Sequence, residues 1–152
     1  MVEVYCDPGD LLADPALGAV TRAVSEAAAL LETEESVAFG EVTVMIVDAD
    51  RISALHAEYF NDPAPTDVIT FPGEPDPDND VLNGDIAICI DEARDQAAEA
   101  EHGLHEEIVF LALHGLLHLC GWDDLTVDGR TQMIERQNEL LERVGVGTGD
   151  RP

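Results

Sequence analysis

His114-Gly115-Leu116-Leu117-His118-Leu119-Cys120-Gly121-Trp122-Asp123-Asp124 closes a run, from about His105 to Cys120, that is apolar nearly all round. A helix with no polar face has to lie at the centre of a fold. Positions i and i+4 of a helix share one face, offset by about 40°, so His114 and His118 can grip one cation. Gly121 is placed to stop the helix in a left-handed turn and bring Asp124 back to the same point. Two histidines and a carboxylate make a three-ligand site with a fourth position left for water, the layout of a catalytic rather than a structural zinc.

The histidine pair alone is equally a pattern of packed core residues. The glycine three further on and the carboxylate three beyond it point to metal, because the same H-x-x-x-H-x-x-G-x-x-ligand spacing serves the metzincin proteases. Those enzymes carry a glutamate directly after the first histidine as general base. Here that position is Gly115, which cannot accept a proton. Asp123 competes with Asp124 as third ligand, but spacing favours Asp124 and leaves Asp123 to hydrogen bond within the turn. His102 and His105 flank a helix start and are expected at the surface. Cys120 points about 200° away from His118 on a helix and is read as a small buried hydrophobe, like Cys6 and Cys89.

Working outward, Thr126 is a cap for a last amphipathic helix with Met133, Ile134, Leu140 and Leu141 inside. Before the central helix, Asp91 is expected to cap an Ala-rich helix reaching about Glu101. Asp85–Ile90 and Asp67–Phe71 are strands, the latter ended by Pro72, and Gly73–Asp80 is a Pro-rich acidic loop. Asp48 or Asp50 caps a helix through Ile52, Leu55 and Tyr59, which Pro63-Ala64-Pro65 breaks. Val37–Val47, punctuated by Gly40, makes one or two strands. Pro15–Leu31 is a helix and Val2–Cys6 a strand. This order predicts an α+β fold: a single domain over residues 1–144, a small mixed sheet covered by helices, and a flexible tail at 145–152.

The chain has 152 residues, 33 acidic and seven basic, a formal net charge of −26. Every basic residue is arginine. Such a surface is either simply solvated or suited to high intracellular salt, where charge is screened within roughly 3 Å at 1 M. Three unpaired cysteines argue for a reducing compartment. The acidic start, Met1 to Asp7, lacks the order of a signal peptide, and the longest apolar run is too short to span a bilayer. A soluble cytoplasmic protein is expected.

Three blocks in register resemble the YbeY family of single-strand endoribonucleases linked to ribosomal RNA maturation. His114 to Asp124 is similar to that family's H-G-x-L-H-L-x-G-Y-D-H. Leu55 to Pro72, ending Pro65-Thr66-Asp67-Val68-Ile69-Thr70-Phe71-Pro72, is similar to its L-N-x-x-Y-R … P-T-D-V-L-S-F-P. Gly84-Asp85-Ile86, with Asp91 and Ala93, is similar to its G-D-I strand and following helix. The resemblance implies a metal-dependent endoribonuclease acting in 16S rRNA 3′-end maturation and ribosome quality control. It implies one Zn²⁺ per chain, or another divalent metal, on His114, His118 and Asp124. The partners implied are rRNA, the small ribosomal subunit and assembly factors such as ribosomal proteins or GTPases, with no membrane.

Two departures stand out. The family's third histidine is Asp124 here, which lowers the formal charge of a Zn²⁺ site from +2 to +1 and predicts weaker acidification of bound water and a higher pH optimum. The family's arginine aligns with Phe60, and its asparagine with His56. Arg51, Arg94 and Arg130 are candidates to replace it, and no catalytic residue beyond the ligands is assigned. RNA binding rests on neutralising phosphates, so a chain at −26 is expected to act on RNA better as salt rises from zero, before activity falls. The alternatives are an assembly factor with a structural metal and another zinc hydrolase, including a peptidase.

Overall fold

The computed structural model describes residues 2–60, 67–74, 78 and 80–146, with the backbone alone for Tyr59 and Phe60. The chain runs β1 (Val2–Asp7), α1 (Ala16–Glu34), β2 (Phe39–Val47), α2 (Ala49–Phe60), β3 (Val68–Pro72), β4 (Leu82–Cys89), α3 (Ile90–Ala100), α4 (Leu104–Leu119) and α5 (Val127–Arg143). Four strands form one sheet in the order β1-β2-β4-β3. β1 and β4 pair parallel to β2, and β3 pairs antiparallel to β4. The expected α+β fold with a small mixed sheet is the fold observed.

Alternation along the strands decides which helices cover which face. Val42, Val44 and Ile46 of β2 and Ile86 and Ile88 of β4 enter the main core with residues of α1 and α4. Val47, Cys89 and Ile69 form a smaller cluster with Ile52 of α2 on the opposite face. Ile108, Val109, Ala112, Leu113, Leu116 and Leu117 of α4 are fully buried, and each large aliphatic among them contributes about 1.5–3 kcal/mol relative to exposure. The helix read as central is therefore central because sheet, α1, α3 and α5 all pack on it.

Close approach of α4 to the sheet depends on Gly115. A Cβ there would lie 2.7 Å from Cδ1 of Ile86, well inside van der Waals contact. The position that denies the site a protease base thus has a packing reason to be glycine, and a glutamate cannot be accommodated without moving the helix.

Most expected boundaries hold within a few residues. The stretch Val37–Val47 holds one strand, Phe39–Val47, with a register shift between Phe39 and Val42, around Gly40. Asp48 Oδ1 accepts from Arg51 N–H at 2.8 Å and so caps α2, and Thr126 Oγ1 accepts from Gly129 N–H at 2.9 Å and caps α5. Asp91 does not cap α3: the cap position is Cys89, with no side-chain bond. Asp91 sits in the first turn, and its Oδ2 accepts from Ala49 N–H at 2.8 Å, tying α3 to the start of α2. Pro72 lies within β3. The Pro63-Ala64-Pro65 break, part of the 73–80 loop and the tail beyond Val146 lie outside the described residues.

Candidate metal centre

The end of α4 builds the site by local chemistry. Gly121 adopts φ +99°, its N–H bonds to His118 O, and Trp122 N–H reaches back to Leu117 O at 3.0 Å. These two bonds form a Schellman stop. The turn places the Trp122 carbonyl 3.0 Å from His118 Nδ1 and returns the chain so that Asp124 faces the helix. The indole Nε1–H of Trp122 donates to Glu35 Oε1 at 2.7 Å, anchoring the turn to the end of α1.

Three ligand atoms converge. Nε2 of His114 and Nε2 of His118 lie 2.9 Å apart, and Asp124 Oδ2 lies 3.4 Å from the first and 3.8 Å from the second. Bonds of about 2.0–2.1 Å to a tetrahedral Zn²⁺ set ligand atoms about 3.3–3.4 Å apart, within the observed spread. Asp123 stays out of the cluster; its Oδ1 accepts from Leu125 N–H at 3.2 Å. Sequence spacing therefore chose between the two aspartates as the geometry does.

Hydrogen bonding decides which imidazole nitrogens carry protons. A backbone carbonyl only accepts, so His118 Nδ1–H donates to Trp122 O, and His118 Nε2 is bare. Gln137 Nε2 donates to Phe110 O at 3.0 Å, which turns its Oε1 toward His114 Nδ1 at 3.2 Å. His114 Nδ1–H is then the donor, and its Nε2 is bare as well. When both rings are neutral, two lone pairs and a carboxylate oxygen face one point, and a cation there would take the place of the 2.9 Å Nε2–Nε2 contact. That donor set fits a divalent cation, and the outer partners are of the kind that orient histidine ligands. Burial pushes the His114 imidazole below its ordinary pKa; Gln137 and Asp124 oppose the shift and His118 adds to it. The neutral ring is the form a metal needs.

The site opens on a cleft of about 640 Å³ between β3, α3, α4 and α5, reached through His114 and Asp124. Asp67, Glu99, Glu107 and Arg130 also line it. Asp67 is held by Gln96 Nε2, which donates to its Oδ2 at 3.1 Å. His102 is not at the surface as expected. Its side chain is 4% exposed and pairs with Glu107 at 2.7 Å, because the α3–α4 turn folds it under the start of α4. Of the arginines considered as replacements, Arg51 pairs with Asp7 and Arg94 with Asp91, whereas Arg130 lines the cleft. The Phe60 side chain lies outside the described residues.

Gln137 had no signal in the sequence beyond being a polar residue at an inner position of α5. Cys6, Cys89 and Cys120 are all free thiols. Burial, followed by the Glu35 carboxylate, pushes Cys120 up to about 11, and its thiol is not part of the His114–His118–Asp124 cluster.

The family profile of Endoribonuclease YbeY matches residues 13–145. The chain belongs to the YbeY family. It is 42% identical to Endoribonuclease YbeY of Bacillus licheniformis over 123 residues, covering 74% of this chain and 78% of that protein. It is 39% identical to the Bacillus cereus (strain B4264) protein of that name over 135 residues, 83% and 85% of the two chains, and 34% identical to that of Bacillus mycoides over 152 residues, 94% and 96%. The solution structure of TM1509 from Thermotoga maritima superposes with a TM-score of 0.63 over 95% of this chain and 89% of that one; at 24% identity it supports the fold alone. No helix among the described residues is long and apolar enough to cross a membrane.

Proposed function

We propose that this chain is a metal-dependent single-strand endoribonuclease that holds one Zn²⁺ on His114, His118 and Asp124. We propose further that it acts on the 3′ end of 16S rRNA and in ribosome quality control, on the small subunit in the cytoplasm. The observation that carries this reading is the convergence of His114 Nε2, His118 Nε2 and Asp124 Oδ2, with the Nδ1 atoms of both imidazoles already committed to Gln137 and Trp122. Membership of a family whose relatives are named endoribonucleases supplies the substrate class.

A bound divalent cation would supply a water of lowered pKa and a positive charge for a phosphoryl oxygen. The protein's own part is orientation. Gln137 and the Trp122 carbonyl hold both imidazoles with Nε2 forward. Asp124, 37% exposed on its side chain, closes the cluster from the solvent side and adds a negative charge that a three-histidine set lacks. The cleft along α4 and α5 gives an RNA strand a path past His114. Gly115 bears against Ile86 and offers no base, which argues against the peptidase reading.

Bound-metal analysis of the purified protein tests the site. About one Zn²⁺ per chain in the wild type, and loss of it together with single-strand RNA cleavage in His114→Ala, is the expected result. RNA cleavage that survives loss of the metal would refute the reading.

A further inference from the structure

The arginines of this protein are scarce, and almost all of the described ones are neutralised. Among the described residues, Arg22 pairs with Glu26, Arg51 with Asp7, Arg94 with Asp91, Arg136 with Glu34, Glu35 and Glu139, and Arg143 with Glu34 and Glu139. Arg130 alone among them makes no ion pair with a described carboxylate, in a chain that carries 33 acidic residues. It is exposed, near the start of α5, and it lines the same cleft as His114 and Asp124. The other ionisable groups lining that cleft, besides His114, are Asp67, Glu99, Glu107 and Asp124.

A strand of RNA entering this cleft meets carboxylates on several sides. Phosphate binding there needs a cation whose hydrogen-bond donors are not already spent. A guanidinium keeps its charge at any working pH and offers a planar fork that fits two phosphate oxygens. A surface arginine paired with a carboxylate has lost much of that capacity. We infer that Arg130 is a substrate-binding residue: it holds a backbone phosphate of the single-stranded RNA next to the one that reaches the His114–His118–Asp124 cluster. The inference rests on the endoribonuclease reading of that cluster.

The test is binding of a fluorescein-labelled single-stranded RNA oligonucleotide to the metal-free full chain across a salt series. Wild type, Arg130→Gln, Arg130→Lys and Arg22→Gln are compared. Arg22→Gln removes the same unit of charge from a paired arginine on α1. Arg130→Gln is expected to bind about tenfold more weakly than wild type at low salt. The ratio of the two affinities should shrink as salt rises, with a log–log slope of about 0.7, the value for one single-strand phosphate contact. Arg130→Lys should recover the slope and part of the affinity, and Arg22→Gln should bind as wild type does. With the metal restored, Arg130→Gln should raise KM more than it lowers kcat.

Equal binding by wild type and Arg130→Gln, or equal losses in Arg130→Gln and Arg22→Gln, overturns the assignment while leaving the endoribonuclease reading intact. A wild type that neither binds nor, with metal, cleaves the RNA at any salt overturns that reading and the assignment with it.

Discussion

Gln137 of α5 and His114 of α4 are 23 residues apart in sequence and joined by a 3.2 Å hydrogen bond that fixes the imidazole. The amide cannot turn over, because its other end donates to the Phe110 carbonyl. One buried side chain thus sets the tautomer of a metal-ligand candidate and ties the last helix to the central one.

Replacing that amide with a side chain of similar shape should weaken the site more than the fold. Gln137→Met is expected to lose about 10–100-fold in Zn²⁺ affinity and about 1–3 kcal/mol of stability, from the two hydrogen bonds lost, to His114 Nδ1 and to the Phe110 carbonyl. Chelator competition reads the first and urea unfolding the second. Unaltered Zn²⁺ affinity would show that Gln137 has no part in the site.

Gly115 should tolerate no side chain while Ile86 is full-sized. Gly115→Ala places a Cβ 2.7 Å from Ile86 and is expected to cost about 1–3 kcal/mol. Gly115→Ala with Ile86→Ala should be less destabilised than the sum of the two single variants. Additive losses in a double-mutant cycle would show that the two positions do not press on each other.

The Cys120 thiol, held at about 11 by burial and by Glu35, is neutral at pH 8, with roughly one molecule in a thousand as thiolate. Iodoacetamide at that pH should leave Cys120 largely unmodified in the native protein and label it after denaturation, as mass spectrometry would show. Cys6 and Cys89, also raised chiefly by burial, should be slow as well. Fast labelling of native Cys120 would mean a thiolate that the fold does not account for.

Much of the site was legible because its logic is local. Helical spacing aligns His114 with His118, Gly121 stops the helix by a backbone conformation open to glycine, and Asp124 follows three residues later. Thr126 and Asp48 cap for the same short-range reasons. Other features depend on which elements meet. Asp91 has the sequence of a cap but accepts from Ala49, 42 positions earlier. His102 looks like a surface residue until Glu107 is folded over it. Gln137 is an ordinary glutamine until α5 packs on α4. Arg130 differs from the other described arginines only through the carboxylate partners that the fold gives them.

Asp124 is the proposed ligand whose charge should set the pH profile. A carboxylate in place of a histidine reduces the net charge of the cluster and leaves bound water less acidic. The direction follows: Asp124→His should move the rise of RNA cleavage with pH to lower pH, because the water would then ionise at lower pH. Rates measured from pH 5 to pH 10 in both proteins test this, and superimposable profiles would show that the charge of the third ligand does not govern the reaction.

The central claim is that one metal ion on His114, His118 and Asp124 enables RNA cleavage. Adding Zn²⁺ stepwise to the metal-free protein, with single-strand RNA cleavage measured at each step, tests it most directly. Cleavage should rise from zero to a plateau at one equivalent and stay at zero throughout in His118→Ala. Cleavage before any metal is added, or an equal rise in His118→Ala, would contradict it.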